Sequence, residues 1–275
     1  MKTRAEQEEA VRRFYDAEVG EEEARLDEYP FEFAVTMRFV NQYLQPGAKV
    51  LDAACGTGRY AKALIDAGYR VGAGDLAPAN VQYTQRRTSS DCADSQVLFV
   101  RQANALDQEA YEGGPWDAIL LLGPCYHLPA LDDRIALLHQ ARSNLREDGR
   151  VYVSFISRLG AFAWGVQHRP EGILEREGVL SLFHRGTEYN FARPGEALPN
   201  TYFCDPAELN SLFDEARLSV KHLCGTEGVF GGRVRRYHEL DETLREEWLN
   251  FMVEHCESPM FSWTSEHLLV VAERA

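Results

Sequence analysis

Three acid or amide side chains, two glycines and one histidine are spaced as ligand-handling groups: Asp52, Asp75, Asn104, Gly56, Gly58 and His127. The first of these stand in Val50–Tyr60, VLDAACGTGRY, a short apolar run ending in an acid, then two glycines one residue apart, then helix-forming sequence. That order describes a strand, a tight turn and a helix. Glycine suits the turn because backbone there must approach a ligand or take dihedrals that a side chain forbids. Gly56, Gly58 and Ala61 also satisfy the loose dinucleotide fingerprint, in which turn amides and a helix N-terminus face a pyrophosphate. Asp52 points elsewhere, since a carboxylate ending the same strand repels phosphate and favours a ligand with cationic groups.

Asp75 follows the next apolar run. In a doubly wound sheet an acid there sits beside the first turn and can accept hydrogen bonds from two ribose hydroxyls. Asn104 and Ala105 follow a third run, where the amide can both accept and donate; a turn-forming Asn is the competing reading. The fourth run, Trp116–Leu122, ends in Gly123–Leu128, GPCYHL. Ligands of open α/β sheets bind outside the carboxyl ends of strands, so Tyr126 and His127 face the reaction. His127 is the candidate general base because imidazole titrates near neutrality, and Tyr126 is placed to orient an acceptor. Hydrogen bonding to its own loop is the competing role for His127, and His168, His184 and His267 are lesser candidates.

The positioning elements follow from periodicity. Val11, Phe14 and Tyr15, then Phe33, Met37, Val40 and Leu44, repeat at helical spacing and predict two helices with a turn near Tyr29 and Pro30. Lys49–Ala53 is the first strand, Arg59–Ala67 a helix stopped by Gly68, Tyr69–Gly74 a strand, Pro78–Arg87 a helix and Gln96–Arg101 a strand. After Trp116–Leu122 comes a helix over Leu131–Leu145, then a strand over Val151–Ser157. Residues 158–204 break the alternation, and Leu180–Phe183 with Glu188–Phe191 suggest a hairpin. Asp205 caps a helix, with Glu208 completing a capping box. Leu218–Leu223, Leu240–His255 and His267–Ala272 then read as strand, helix and strand.

The pattern DAACGTG, with Asp75 and Asn104 after the next two strands, resembles the class I S-adenosylmethionine-dependent methyltransferases. The resemblance implies a Rossmann-like, doubly wound α/β sheet of seven strands with the last antiparallel, an N-terminal helical cap over residues 1–46 and a cofactor core over 47–157. An insertion after the fifth strand, 158–204, would cover the substrate, and 205–275 would complete the core within one domain. It implies S-adenosylmethionine as cofactor, S-adenosylhomocysteine as product and no metal. Asp52, Ala54, Gly56, Gly58, Asp75, Leu76, Asn104, Ala105 and Leu122 would bind the cofactor. Tyr126 and His127 would act on the acceptor. Tyr15, Tyr29, Phe162, Trp164 and Tyr202 would line its pocket, with core packing the plainer reading of each. The implied reaction is methyl transfer to O, N, S or C of a small molecule. A nicotinamide-dependent oxidoreductase and a non-catalytic protein of the same fold are the alternatives.

Bulk properties limit the partners. The chain has 29 basic and 43 acidic residues, a net charge of −14, which opposes the cation-driven binding of nucleic acid. No run reaches the ~20 apolar residues of a membrane helix, and MKTRAEQEEA lacks the apolar stretch of a signal peptide, so a cytoplasmic protein is expected. Six scattered cysteines without a C-x-x-C pair read as small buried hydrophobes.

Overall fold

The computed structural model describes residues 3–17, 19, 29–89, 96–192 and 198–275. Helices α1 (Arg4–Ala17) and α2 (Pro30–Tyr43) precede β1 (Lys49–Asp52), α3 (Arg59–Asp66), β2 (Arg70–Asp75), α4 (Pro78–Thr88), β3 (Val97–Gln102) and β4 (Trp116–Leu121). Next come α5 (Leu131–Asn144), β5 (Leu145–Ser157), α6 (Arg158–His168), α7 (Arg176–Arg185) and the two-residue β6 (Phe203–Cys204). The chain closes with α8 (Pro206–Glu215), β7 (Leu218–Gly225), α9 (Val234–His238), α10 (Glu242–His255), α11 (Pro259–Ser262) and β8 (His267–Arg274).

Among the described residues these strands form one sheet in the order β3-β2-β1-β4-β5-β8-β7, with β6 paired to β5. Strands β1 to β5 pair in parallel, whereas β8 runs antiparallel between β5 and β7. The expected seven strands are therefore the continuous path, and β6 is a short addition to it. Apolar runs buried on both faces explain the parallel centre: Ile119, Leu120 and Leu121 of β4 and Val151, Tyr152 and Val153 of β5 have no exposed surface. On one face they pack against Leu137 and Leu138 of α5 and Phe213 of α8, and on the other against Val35 and Phe39 of α2 and Leu64 of α3.

The differences from expectation have physical causes. Residues 176–185 form α7, not half of a hairpin; Val179 and Leu182 bury one helical face against Phe191 and Phe203. Helix α2 buries Phe31, Val35 and Phe39, while Phe33 lies at its edge beneath the Arg59 guanidinium, 4.8 Å from the ring centre. Asp205 does cap α8, accepting from Ala207 N. Glu208 forms no capping box, because its carboxylate accepts instead from Tyr202 Oη and pairs with Arg158. Cys55, Cys125, Cys204, Cys224 and Cys256 are buried, as read from sequence, and Cys92 lies outside the described residues.

Order of strands β1 and β4 places the sheet's topological switch between them, so their carboxyl ends open a crevice. The turn that borders it depends on Gly58, whose φ is +78° and whose missing Cβ would lie 2.7 Å from Thr84 Oγ1. Thr84 is not free to yield, since its hydroxyl donates to Gly56 O at 2.9 Å. Gly56 also has a positive φ, +52°, but open space where a Cβ would go. Gly58→Ala is therefore expected to lose about 2–3 kcal/mol of stability, clash added to backbone strain, and Gly56→Ala about 1 kcal/mol from strain alone. Urea unfolding of the two variants checks this; equal losses would contradict it.

Candidate functional site

Two adjoining cavities open at the carboxyl ends of β1 and β4. The larger, about 130 Å³, is walled by Ala53, Ala54 and Gly56 after β1, Asp75 and Leu76 after β2, and Asn104, Ala105 and Leu106 after β3. Leu122, Gly123, Tyr126 and His127 after β4 close one side, and Arg4, Gln7, Glu8, Val11 and Tyr15 of α1 form the roof. The second cavity, about 70 Å³, shares Ala54, Gly56, Leu122 and Tyr126 with the first and adds Glu32, Thr36, Arg59, Tyr60, Ser154 and Thr226.

The carboxylate of Asp75 ties three segments of the larger cavity together. Its Oδ2 accepts from Gly56 N at 2.8 Å, and its Oδ1 from Ala77 N at 2.9 Å and Asn80 Nδ2 at 3.1 Å. Burial raises its pKa while these donors hold it down. Asp75 thus lines the place expected for a ribose, and the same carboxylate is a structural anchor that sequence reading did not anticipate.

Asp52 and Gly58 line neither of these two cavities. Asp52 is 1% exposed beneath the turn, and its Oδ2 meets no hydrogen-bond partner among the described residues. Burial first, and the Asp75 charge second, push its pKa up to about 7, against the opposing Ala61 N–H. Its influence on a ligand is therefore through the field, not contact. Gly58 serves the close passage of Thr84.

Ala54, Gly56, Leu76, Asn104, Ala105 and Leu122 all face the larger cavity. Asn104 also makes the turn that competed with its ligand role, its Oδ1 accepting from Leu106 N at 3.0 Å. His127 and Tyr126 lie on the cavity side by side, ring centres 4.9 Å apart. His127 Nε2 meets Tyr15 Oη at 2.8 Å, and its Nδ1 meets Pro199 O at 2.9 Å.

Of the aromatic residues expected around an acceptor, Tyr15 lines the larger of these two cavities, and Tyr29, Phe162, Trp164 and Tyr202 line neither. Tyr29 sits edge-on to His267, with ring centres 6.0 Å apart. Phe162 packs on Phe183 and Phe191, and Trp164 stacks on His168 at the surface. Tyr202 is buried under the Arg134 guanidinium and donates to Glu208. Residues 158–192 wall neither cavity; the insertion reaches the site through its end, where Pro199 holds His127. The roof residues Arg4, Gln7, Glu8 and Val11 were missed, although 4, 8, 11 and 15 recur at helical spacing and already put Tyr15's neighbours on one face.

Glu32, Glu227 and His267 bring ligating atoms within 4.8 Å of one another, a grouping that could hold a metal ion. In the structure His267 Nδ1 pairs with the fully buried Glu227 at 2.6 Å and lies 3.4 Å from Glu32. The His267 partnership keeps the Glu227 pKa low despite burial.

These walls could hold a ligand with a nucleoside at one end and an amino-acid zwitterion at the other: Asp75, Leu76, Asn104 and Ala105 offer groups that could meet a ribose and base, and Arg59 in the second cavity one that could meet a carboxylate. They fit a pyrophosphate poorly, because the Gly56 amide is already given to Asp75 and two carboxylates face or underlie the turn.

The sequence profile of a family described as a methyltransferase domain matches residues 50–149. A ubiquinone biosynthesis O-methyltransferase of Xanthomonas axonopodis pv. citri is 30% identical over 166 residues, 59% of this chain and 64% of that protein. This chain thus spans less than two thirds of that relative. In fold it is similar to the CcbJ methyltransferase of Streptomyces caelestis (TM-score 0.58, 14% identity, 90% of this chain and 91% of that one). It is also similar to a SAM-dependent methyltransferase of Methanosarcina mazei (TM-score 0.57, 14% identity, 86% and 96%).

Two outcomes follow from the buried acids. Asp75→Ala should weaken a nucleoside ligand and also lower stability by about 1–3 kcal/mol, since buried donors lose their acceptor; urea unfolding at neutral pH measures the second effect, and an unchanged midpoint would contradict the anchor. Asp52 keeps its proton in the folded protein up to about pH 7, against 3.8 as its ordinary value. Between those values only the folded state holds that proton, so its contribution to stability is present at low pH and is lost as pH rises, by up to ~1.4 kcal/mol per pH unit. Unfolding from pH 4.5 to 7.5 should therefore show a flatter profile for Asp52→Asn than for the parent, and parallel profiles would contradict the assignment.

Proposed function

We propose that this chain is a class I S-adenosylmethionine-dependent methyltransferase that transfers a methyl group to a small-molecule acceptor. One observation carries the choice of cofactor: the turn that a dinucleotide site keeps open for phosphate has its Gly56 N–H satisfied by Asp75. The charge left there is negative or polar, which suits the sulfonium and ammonium of S-adenosylmethionine and repels a pyrophosphate. Asp75, Leu76, Asn104 and Ala105 would hold the adenosine, Ala54, Gly56 and Leu122 the middle of the molecule, and Arg59 its carboxylate.

When bound, S-adenosylmethionine supplies an electrophilic methyl on a sulfonium that leaves as a neutral thioether. The chain's own tasks are to hold the acceptor near that methyl, to exclude water and to take a proton where the acceptor has one to lose. Orientation supplies about 7–11 kcal/mol of such a barrier. Tyr126 borders both cavities and would orient the acceptor; His127 beside it would receive the proton, worth a further ~10²- to 10⁴-fold. The likeness to O-methyltransferases favours a hydroxyl oxygen as acceptor. The proposal includes a cytoplasmic setting; no described helix is long and apolar enough to cross a membrane.

Isothermal titration with S-adenosylmethionine, S-adenosylhomocysteine, NAD and NADH tests the cofactor. The first two are expected to bind and the nicotinamides not to; binding of NAD alone would overturn the proposal. A labelled-methyl assay over phenols, catechols and amines then tests turnover, and cofactor binding with no transfer to any of them would favour a non-catalytic protein of this fold.

A further inference from the structure

We propose that Tyr15, on the N-terminal helix, is a catalytic residue that relays the acceptor's proton to His127, so that the base is a pair assembled only when α1 is docked. The inference rests on the methyl-transfer reading above and adds a residue to it. Its starting point is the tautomer of His127. A carbonyl oxygen can only accept, so the 2.9 Å contact with Pro199 O requires a proton on Nδ1. In the neutral ring Nε2 is then the acceptor, and the group donating to it is the hydroxyl of Tyr15 at 2.8 Å.

With Nε2 engaged by Tyr15, an incoming hydroxyl would reach the pair through the phenol oxygen rather than the imidazole nitrogen. Both rings border the larger cavity and meet edge to face, with centres 5.4 Å apart. An acceptor bonded to Tyr15 Oη would lose its proton to that oxygen as Tyr15 passes its own to His127 Nε2. The acceptor oxygen forms the new bond to the methyl carbon, and the electrons of the broken carbon–sulfur bond remain on sulfur. Tyr15 ends neutral, and the proton rests on an imidazolium whose Nδ1–H still donates to Pro199. No oxidant or further reactant is needed.

The helix that carries Tyr15 is fixed at two other points on the cavity rim. Asp16 Oδ1 accepts from Ala79 N at 3.0 Å, and Asn200 Nδ2 donates to Gln7 O at 2.9 Å. Pro199 and Asn200 are neighbours, so one short segment orients His127 and holds α1. Among the described residues, Arg4 and Glu8 of the same helix, Asp133 of α5 and Asp75 are the charged groups that line the cavity with the pair.

Two measurements test the relay. In protein with ¹⁵N-labelled histidine and bound S-adenosylhomocysteine, the His127 ring should show a protonated Nδ1 and a hydrogen-bonded, unprotonated Nε2. Tyr15→Phe should shift the Nε2 resonance and leave Nδ1 unchanged; a ring protonated on Nε2 would overturn the proposal, whatever the turnover. With catechol as acceptor, Tyr15→Phe should lower kcat about 10²-fold or more, with S-adenosylhomocysteine affinity within threefold of the parent. The more acidic 4-nitrocatechol should recover most of that loss. Equal loss with both acceptors would show Tyr15 to be packing only. Failure of S-adenosylhomocysteine to bind the parent would instead sink the methyl-transfer reading itself.

Discussion

The carboxylate of Asp75 is the interaction on which the site depends. Its two oxygens collect the Gly56 amide from the first turn, the Ala77 amide from its own loop and the Asn80 side chain from α4. A buried carboxylate is costly to keep charged unless donors surround it, and here the donors come from the segments that wall the cavity. The same bond removes Gly56 N–H from the set of groups available to a phosphate. One interaction thus shapes the pocket and biases its ligand.

Asp52 complements that arrangement from below. It is too buried to touch a ligand, and its pKa is raised first by burial and second by the charge of Asp75. A cation in the cavity would offset that second effect, which gives the acidic strand end a physical role without contact. The turn itself is kept by Gly58, where Thr84 occupies the space a side chain would need.

Much of this was legible in the sequence, and unevenly so. The order of strands and helices from Lys49 to Ser157 followed from apolar runs, and the residues after each strand end fell on the cavity because a parallel sheet puts its carboxyl ends on one side. The antiparallel last strand came from family resemblance. What the pattern could not supply was side-chain direction after a loop: Phe162, Trp164 and Tyr202 were grouped by composition, yet they pack on Phe191, His168 and Arg134 respectively. Leu180–Phe183 reads as a hairpin strand because it is short and apolar, and tertiary burial of Val179 and Leu182 decided for a helix over Arg176–Arg185. Tyr15 was singled out, but its contact with His127 joins residues far apart in the chain and has no local signature.

A crystal structure with S-adenosylhomocysteine bound tests the central claim most directly. The account predicts the ribose against Asp75, the adenine between Leu76 and Asn104–Ala105, and the sulfur at the wall that Gly56, Leu122 and Tyr126 share, directed toward Tyr15 and His127. A ligand whose ribose lies away from Asp75, or whose sulfur points away from that wall, would contradict it.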